Sequence, residues 1–326
     1  MTNPSGSDNS TELTYKRTFD KLQLSTLIDM DSPEEVHQEV LYTLSLINPE
    51  FDVKPLQQVF SFTVDLYEGQ LDEYKACNTD YHNLRHITDT YLAMVRLLHG
   101  AHLANEGFSE REIFLGLTSA LMHDTGMIQK ADDHEGTGAR YTKEHVMLSM
   151  DFVEKHAATL LLESQEVVDL RDMILCTDLM ADIPAINFSS TKTEMLGKIL
   201  GTADLIAQMA DHTYLEKLLF LYHEFREADI GDFKSEIDLL CQTLNFFDIS
   251  DERFKKTLDN KSKYMVPHFK ARWDINENLY ILSLEKQRDF LERILKDKNL
   301  SIYQELKRGN IVKEVRQKFG DIGLED

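Results

Sequence analysis

Three short segments of the 326-residue chain carry side chains that could bind a cation or move a proton. In Tyr81-His82-Asn83-Leu84-Arg85-His86-Ile87-Thr88-Asp89, His82 and His86 stand four residues apart, with Asp89 one turn further on. On a helix that spacing sets them along one face, where two imidazoles and a carboxylate can hold a metal or relay a proton. An isolated His-x-x-x-His is more often a solvated polar stripe. In Leu117-Thr118-Ser119-Ala120-Leu121-Met122-His123-Asp124-Thr125-Gly126, an apolar run ends in a His-Asp pair and a glycine. The two oxygens of Asp124 can serve one cation or bridge two. Asp204 shares a helical face with Leu196, Leu200 and Ala207, which directs it to the core. There it needs a cation, a salt bridge or a hydrogen bond to a neighbouring helix, because an unpaired buried carboxylate suffers a severe desolvation penalty. Together His86, His123, Asp124 and Asp204 make a mixed nitrogen and oxygen shell suited to Zn²⁺, Mn²⁺, Fe²⁺ or Mg²⁺. Neither the identity nor the number of cations, one or two, follows from these ligands.

The order and spacing of His86, His123-Asp124 and Asp204 resemble those of the HD superfamily of metal-dependent phosphohydrolases, most closely its cyclic nucleotide phosphodiesterase branch. The segment Tyr81–Asp89 is similar to that branch's Tyr-His-Asn-x-x-His-Ala-x-Asp signature. Asp172-Met173-Ile174-Leu175-Cys176-Thr177-Asp178-Leu179 is similar to its Asp-Met-Val-Leu-Ala-Thr-Asp-Met segment, and Gly201-Thr202-Ala203-Asp204-Leu205 to the segment holding its last metal aspartate. The resemblance covers roughly residues 75–230. It implies an all-α, compact multi-helix bundle and one or two divalent metal ions held by His86, His123, Asp124 and Asp204, with Asp124 also reaching the second metal. His82 would be the catalytic general acid that protonates the leaving oxygen, a contribution of typically ~10²–10⁴-fold. Water activated between the cations would attack phosphorus in line. The implied activity is a phosphodiesterase acting on a cyclic nucleotide or a similar small phosphodiester. The alternatives are a nucleotide phosphomonoesterase of the same superfamily and a catalytically decayed metal-binding signalling module.

Two departures bear on these expectations. The branch continues His-Asp-x-x-His-Pro-Gly, whereas this chain reads His123-Asp124-Thr125-Gly126-Met127-Ile128-Gln129, so Met127 replaces a histidine that orders the second metal's waters. His145, in Thr142-Lys143-Glu144-His145-Val146-Met147-Leu148-Ser149, is the better candidate to compensate, with Asp89 as further support. His134 reads as a solvent-exposed loop histidine. The loss at Met127 favours the decayed module, whereas an intact His82 favours an enzyme. The purine-pocket glutamine of the branch has no evident counterpart in 245–290, and Phe269 and Trp273 read as core in preference to a base clamp.

Helices must position these groups. Six prolines and fourteen glycines leave few breaks, and the apolar periodicity is helical nearly throughout. Ser32-Pro33-Glu34-Glu35 and Ser109-Glu110-Arg111-Glu112 read as helix starts, the second repeating the capping-box signal of the first. Further helices are expected over 55–72, 82–99, 142–157, 164–177, 191–210, 212–227, 232–246 and 275–307, with irregular stretches at 125–141 and 178–190 that follow polar groups on apolar helices. The first residues, 1–15, read as a disordered lead-in with neither a signal peptide nor a membrane span, and 16–326 as a single helical domain. The net charge of -22 disfavours long nucleic acid or an anionic membrane as partner. The expected partner is a small phosphate-ester substrate, a nucleotide above all, with oligomerisation left open. Cys77, Cys176 and Cys241 have no paired spacing and read as buried, reduced thiols of a cytoplasmic protein.

Overall fold

The computed structural model describes residues 24–323. The lead-in expected at 1–15, and the start of the domain expected from 16, lie outside the described residues. Within them the chain forms thirteen α-helices and short 3₁₀ turns, and its strand-like pairing is an isolated antiparallel bridge between Tyr74 and Lys130. In order the helices are α1 (Pro33–Ile47), α2 (Lys54–Tyr67), α3 (Leu84–Leu103), α4 (Glu110–Met122), α5 (His145–Lys155), α6 (Ser164–Leu175) and α7 (Thr191–Ala210). They continue with α8 (Tyr214–Glu227), α9 (Glu236–Lys256), α10 (Met265–Trp273), α11 (Leu279–Lys296), α12 (Ile302–Glu305) and α13 (Ile311–Phe319). The fold is all-α, as the scarcity of breakers implies. No described helix is long and apolar enough to cross a membrane.

Local chemistry sets the helix starts. The Ser32 hydroxyl accepts the Glu35 N–H, with Pro33 at the first helical position of α1. At α4, Ser109 and Glu112 satisfy each other's backbone N–H groups in a reciprocal box, worth ~1 kcal/mol for such a cap. Helix α3 is the axis of the bundle. Its residues from His86 to Ala101 are all buried, because Ile87, Tyr91, Leu92, Met94, Val95, Leu97 and Leu98 leave almost no polar face. It packs chiefly on α7 and α1, with α4 and α10 beside it. One continuous apolar cluster runs from Val36 to Val315. Where α7 crosses the end of α6, a Cβ on Gly201 would stand 2.5 Å from the Cys176 carbonyl oxygen, so glycine permits the approach that places Asp204.

The structure departs from the expected elements at identifiable points. The helix expected from 82 begins at Leu84, because the extended Asn83 caps it by accepting the His86 N–H at 3.2 Å. His82 therefore lies outside the helix, and the expectation that it shares a helical face with His86 is corrected. The stretch 275–307 splits in two: the Asp297 carboxylate takes the Asn299 N–H at 3.0 Å in a local turn that competes with helix. The helix expected at 232–246 starts later, at the Ser235 cap, and runs on to Lys256. Helices α10 and α13 were unforeseen; Pro267 falls in the first turn of α10, where its missing N–H costs little. Among the cysteines, Cys176 is buried, but Cys77 is half-buried and Cys241 exposed, correcting the expectation that all three are buried. The aromatic pair behaves as core: Phe269 is fully buried and Trp273 packs partly buried against the cluster.

Candidate metal centre

Three helices deliver four potential ligands to one point. His86 comes from the first turn of α3, His123 from the C-cap of α4, Asp124 from the turn that follows, and Asp204 from the middle of α7. His86 Nε2 lies 3.2 Å from each of His123 Nε2, Asp124 Oδ2 and Asp204 Oδ1. His123 Nε2 lies 3.4 Å from Asp124 Oδ2 and 3.6 Å from Asp204 Oδ1. Adjacent ligand atoms around a cation with bonds of ~2.1 Å stand about 3.0–3.4 Å apart, so the observed spacing suits a shared ion. The tightest set, His86, His123 and Asp124, has its ligand atoms within 4.8 Å of one another. These residues could hold a metal.

Hydrogen bonding prepares the donor atoms. His123 Nδ1 lies 2.8 Å from the Ala120 carbonyl oxygen, which can only accept, so Nδ1 carries a proton and Nε2 is the nitrogen that faces the cluster and, once deprotonated, can bind a cation. His145 repeats the arrangement: Nδ1 donates to the Thr142 carbonyl at 2.7 Å, and Nε2 stands 3.4 Å from Asp124 Oδ1. Asp124 thus offers one oxygen to His86 and His123 and the other to His145. The Tyr81 hydroxyl donates to Gln208 Oε1 at 2.8 Å, and the Gln208 amide lies 3.3 Å from Asp204 Oδ1, which orients that carboxylate.

The electrostatics follow from burial and proximity. Burial would lower the His86 imidazole, but Asp124 and Asp204 outweigh it and hold it at about 10. His123 is raised for the same reason, against its burial. Burial would raise the Asp124 carboxyl, yet His123, His86 and His145 hold it well below the usual carboxylate range. Asp204 is likewise held low by His123 and His86 against its burial. Without a cation the carboxylates favour the protonated forms of His86 and His123, so a cation entering the cluster competes with protons.

His82 stands at the open side. Its Nδ1 pairs with Glu224 Oε2 at 2.7 Å, and its ring centroid lies 6.0 Å from those of His86 and His145. Burial would lower the imidazole, but Glu224 raises it, favouring the protonated form. The side chains of His82, His145 and Asp204 are 13%, 21% and 11% exposed, whereas His123 and Asp124 are 1% and 4% exposed, so the cluster meets solvent on the side of the first three. Glu224 also accepts the Tyr81 N–H at 2.7 Å, locking the loop before α3 to the end of α8.

Of the residues singled out in the sequence, His82, His86, His123, Asp124, His145 and Asp204 converge. Asp89 turns elsewhere: it forms no ion pair with His86 or His123, and its carboxylate lies 3.7 Å from Arg85 Nε. Met127 is buried, and His134 is exposed in its loop. Glu224 was missed; its only signal is a carboxylate closing the apolar run Leu218–Tyr222. Gln208 was missed as well, although its position four residues after Asp204 is visible in the sequence.

The profile of the Npun_R2479-like family matches residues 65–254, a span that holds all of these groups. No curated protein matches the chain. No solved structure matches it.

Proposed function

The chain belongs to the Npun_R2479-like family, and we propose that it is a metal-dependent phosphohydrolase, in the first place a phosphodiesterase acting on a cyclic nucleotide or similar small phosphodiester. The observation that carries this reading is the pairing of a four-ligand His/Asp cluster with a histidine that is oriented by a carboxylate and stands at the cluster's open side. A structural cation needs the first and has no use for the second. The motif resemblance at Tyr81–Asp89 and around Asp204 supports the same reading.

His86, His123, Asp124 and Asp204 would hold the ion, and His145 with the second oxygen of Asp124 suits another. A divalent cation there supplies a lowered pKa for water and stabilisation of charge on a phosphoryl group. The chain's own work is positioning and proton transfer. Glu224 fixes the His82 ring through Nδ1, so that Nε2–H is the proton available to a leaving alkoxide. His123 and Asp124 are themselves buried, which limits bulk water at their ligand atoms.

A second reading, a metal-binding signalling module, is favoured by Met127 where a histidine would be expected. Purified protein assayed with Mn²⁺, Mg²⁺ or Zn²⁺ against cyclic and linear phosphodiesters and nucleotide monophosphates separates the readings. Turnover of diesters supports the proposal, turnover of monoesters alone supports a phosphomonoesterase, and stoichiometric metal without turnover supports the module.

A further inference from the structure

The α3 stripe of Arg85, Asp89 and Arg96 faces a cavity of about 820 Å³ that includes none of the four cluster residues. That volume lies within the ~300–1,000 Å³ typical of small-molecule sites. Its apolar wall includes Leu279 and Leu282 of α11.

Arg96 is the anomaly in this wall. It is 1% exposed, and its Nη1 donates to the Tyr280 hydroxyl at 2.9 Å. The guanidinium lies 5.8 Å from the ring centroids of both Phe269 and Tyr280. Its Nε and Nη2 are buried with no acceptor among the described residues. A guanidinium cannot escape this cost by losing its proton, and a buried charge without a counter-ion is strongly unfavourable. Two turns earlier on the same stripe, Asp89 Oδ1 is buried without a donor. Arg85 is a different case, being engaged by Asp31, Asp89 and Asp211. The cavity thus presents an acceptor-seeking cation and a donor-seeking carboxylate oxygen beside an apolar wall.

We propose that this cavity binds a small organic anion, whose carboxylate or phosphate pairs with Arg96 and whose apolar body lies on Leu279 and Leu282. A hydroxyl or N–H of the same ligand would satisfy Asp89. The site is separate from the His/Asp cluster, and the inference does not rest on the hydrolytic reading.

The test uses the full chain and anilinonaphthalene sulfonate, an apolar organic anion that fluoresces when bound, with octanoate, octyl phosphate and octanol as competitors. Saturable probe binding is expected, displaced by at least one octyl anion about tenfold more tightly than by octanol; which anion wins identifies the acidic group. Arg96→Met should abolish that preference, and Ser283→Trp, filling the cavity from α11 with Arg96 intact, should abolish probe binding even if Arg96→Met fails to fold. No saturable binding by the wild type, equal competition by octanol and both anions, a folded Arg96→Met that keeps the preference, or unchanged binding by Ser283→Trp would each overturn the proposal.

Discussion

Substituting Gly126 by alanine tests how the candidate centre is assembled. Gly126 lies in the turn Thr125–Met127 directly after the His123-Asp124 pair. A Cβ there would sit 2.1 Å from the His145 carbonyl oxygen, and 2.8 Å from both Leu148 Cβ and Ser149 N, so the start of α5 must retreat by roughly 1 Å to reach even the closest tolerated contact. The retreat strains the bond from the Gly126 N–H to Ser149 Oγ, now 2.9 Å, and losing a buried partner costs about 1–3 kcal/mol. Overpacking adds about 1–3 kcal/mol. The combined loss of about 2–6 kcal/mol should lower Tm by roughly 3–9 °C for a chain of this length, read by circular dichroism. The same movement carries His145 Nε2 away from Asp124 Oδ1, from which it already stands at 3.4 Å. Calorimetric titration with Mn²⁺ should therefore show weakened binding of a second cation with the first retained. Ser149→Ala removes only the acceptor and should show the smaller stability loss. A Gly126→Ala protein melting within about 1 °C of wild type would refute the steric argument.

Three further outcomes are expected. His82→Gln and Glu224→Gln should keep bound metal and lose turnover of alkyl phosphodiesters more than of nitrophenyl esters, whose leaving group needs no proton; equal losses on both substrates would remove His82 from the chemistry. Asp204→Asn and His123→Ala should each lower metal content by elemental analysis, and unchanged content in both would dismantle the ligand assignment. His37 is stacked on Phe60 at 4.0 Å and held neutral, its pKa lowered by burial from 6.5 to about 4. The unfolded chain binds the proton first, so this contribution is present above pH ~6.5 and lost as pH falls toward ~4, about 2–3 kcal/mol after allowing for solvent screening. Urea unfolding across that range should show the slope, and His37→Gln should flatten it; an unaltered slope would contradict the argument.

The all-α class was legible because breakers are few and apolar residues recur at helical spacing, a property each segment carries by itself. Ser32 and Ser109 marked helix starts for the same reason: the cap partners lie three residues away. The residue types of the cluster were legible too, since an apolar helix ending in His123-Asp124 and a carboxylate on the buried face of α7 are costly unless something pairs with them. What the chain's order could not convey is which way a side chain turns once helices pack. Asp89 follows His86 by three residues, yet it faces Arg85 and the neighbouring cavity. His82 reaches the cluster from a loop held by Glu224, 142 residues away in sequence, and nothing local to Arg96 signals that it lacks a counter-ion among the described residues. Capping and periodicity are interactions between near neighbours, so the sequence by itself determined them. The pairing of His82 with Glu224, of His145 with Asp124 and of α3 with α7 depends on long-range close packing, in which Gly126 and Gly201 set the approach, and only the tertiary structure decided it.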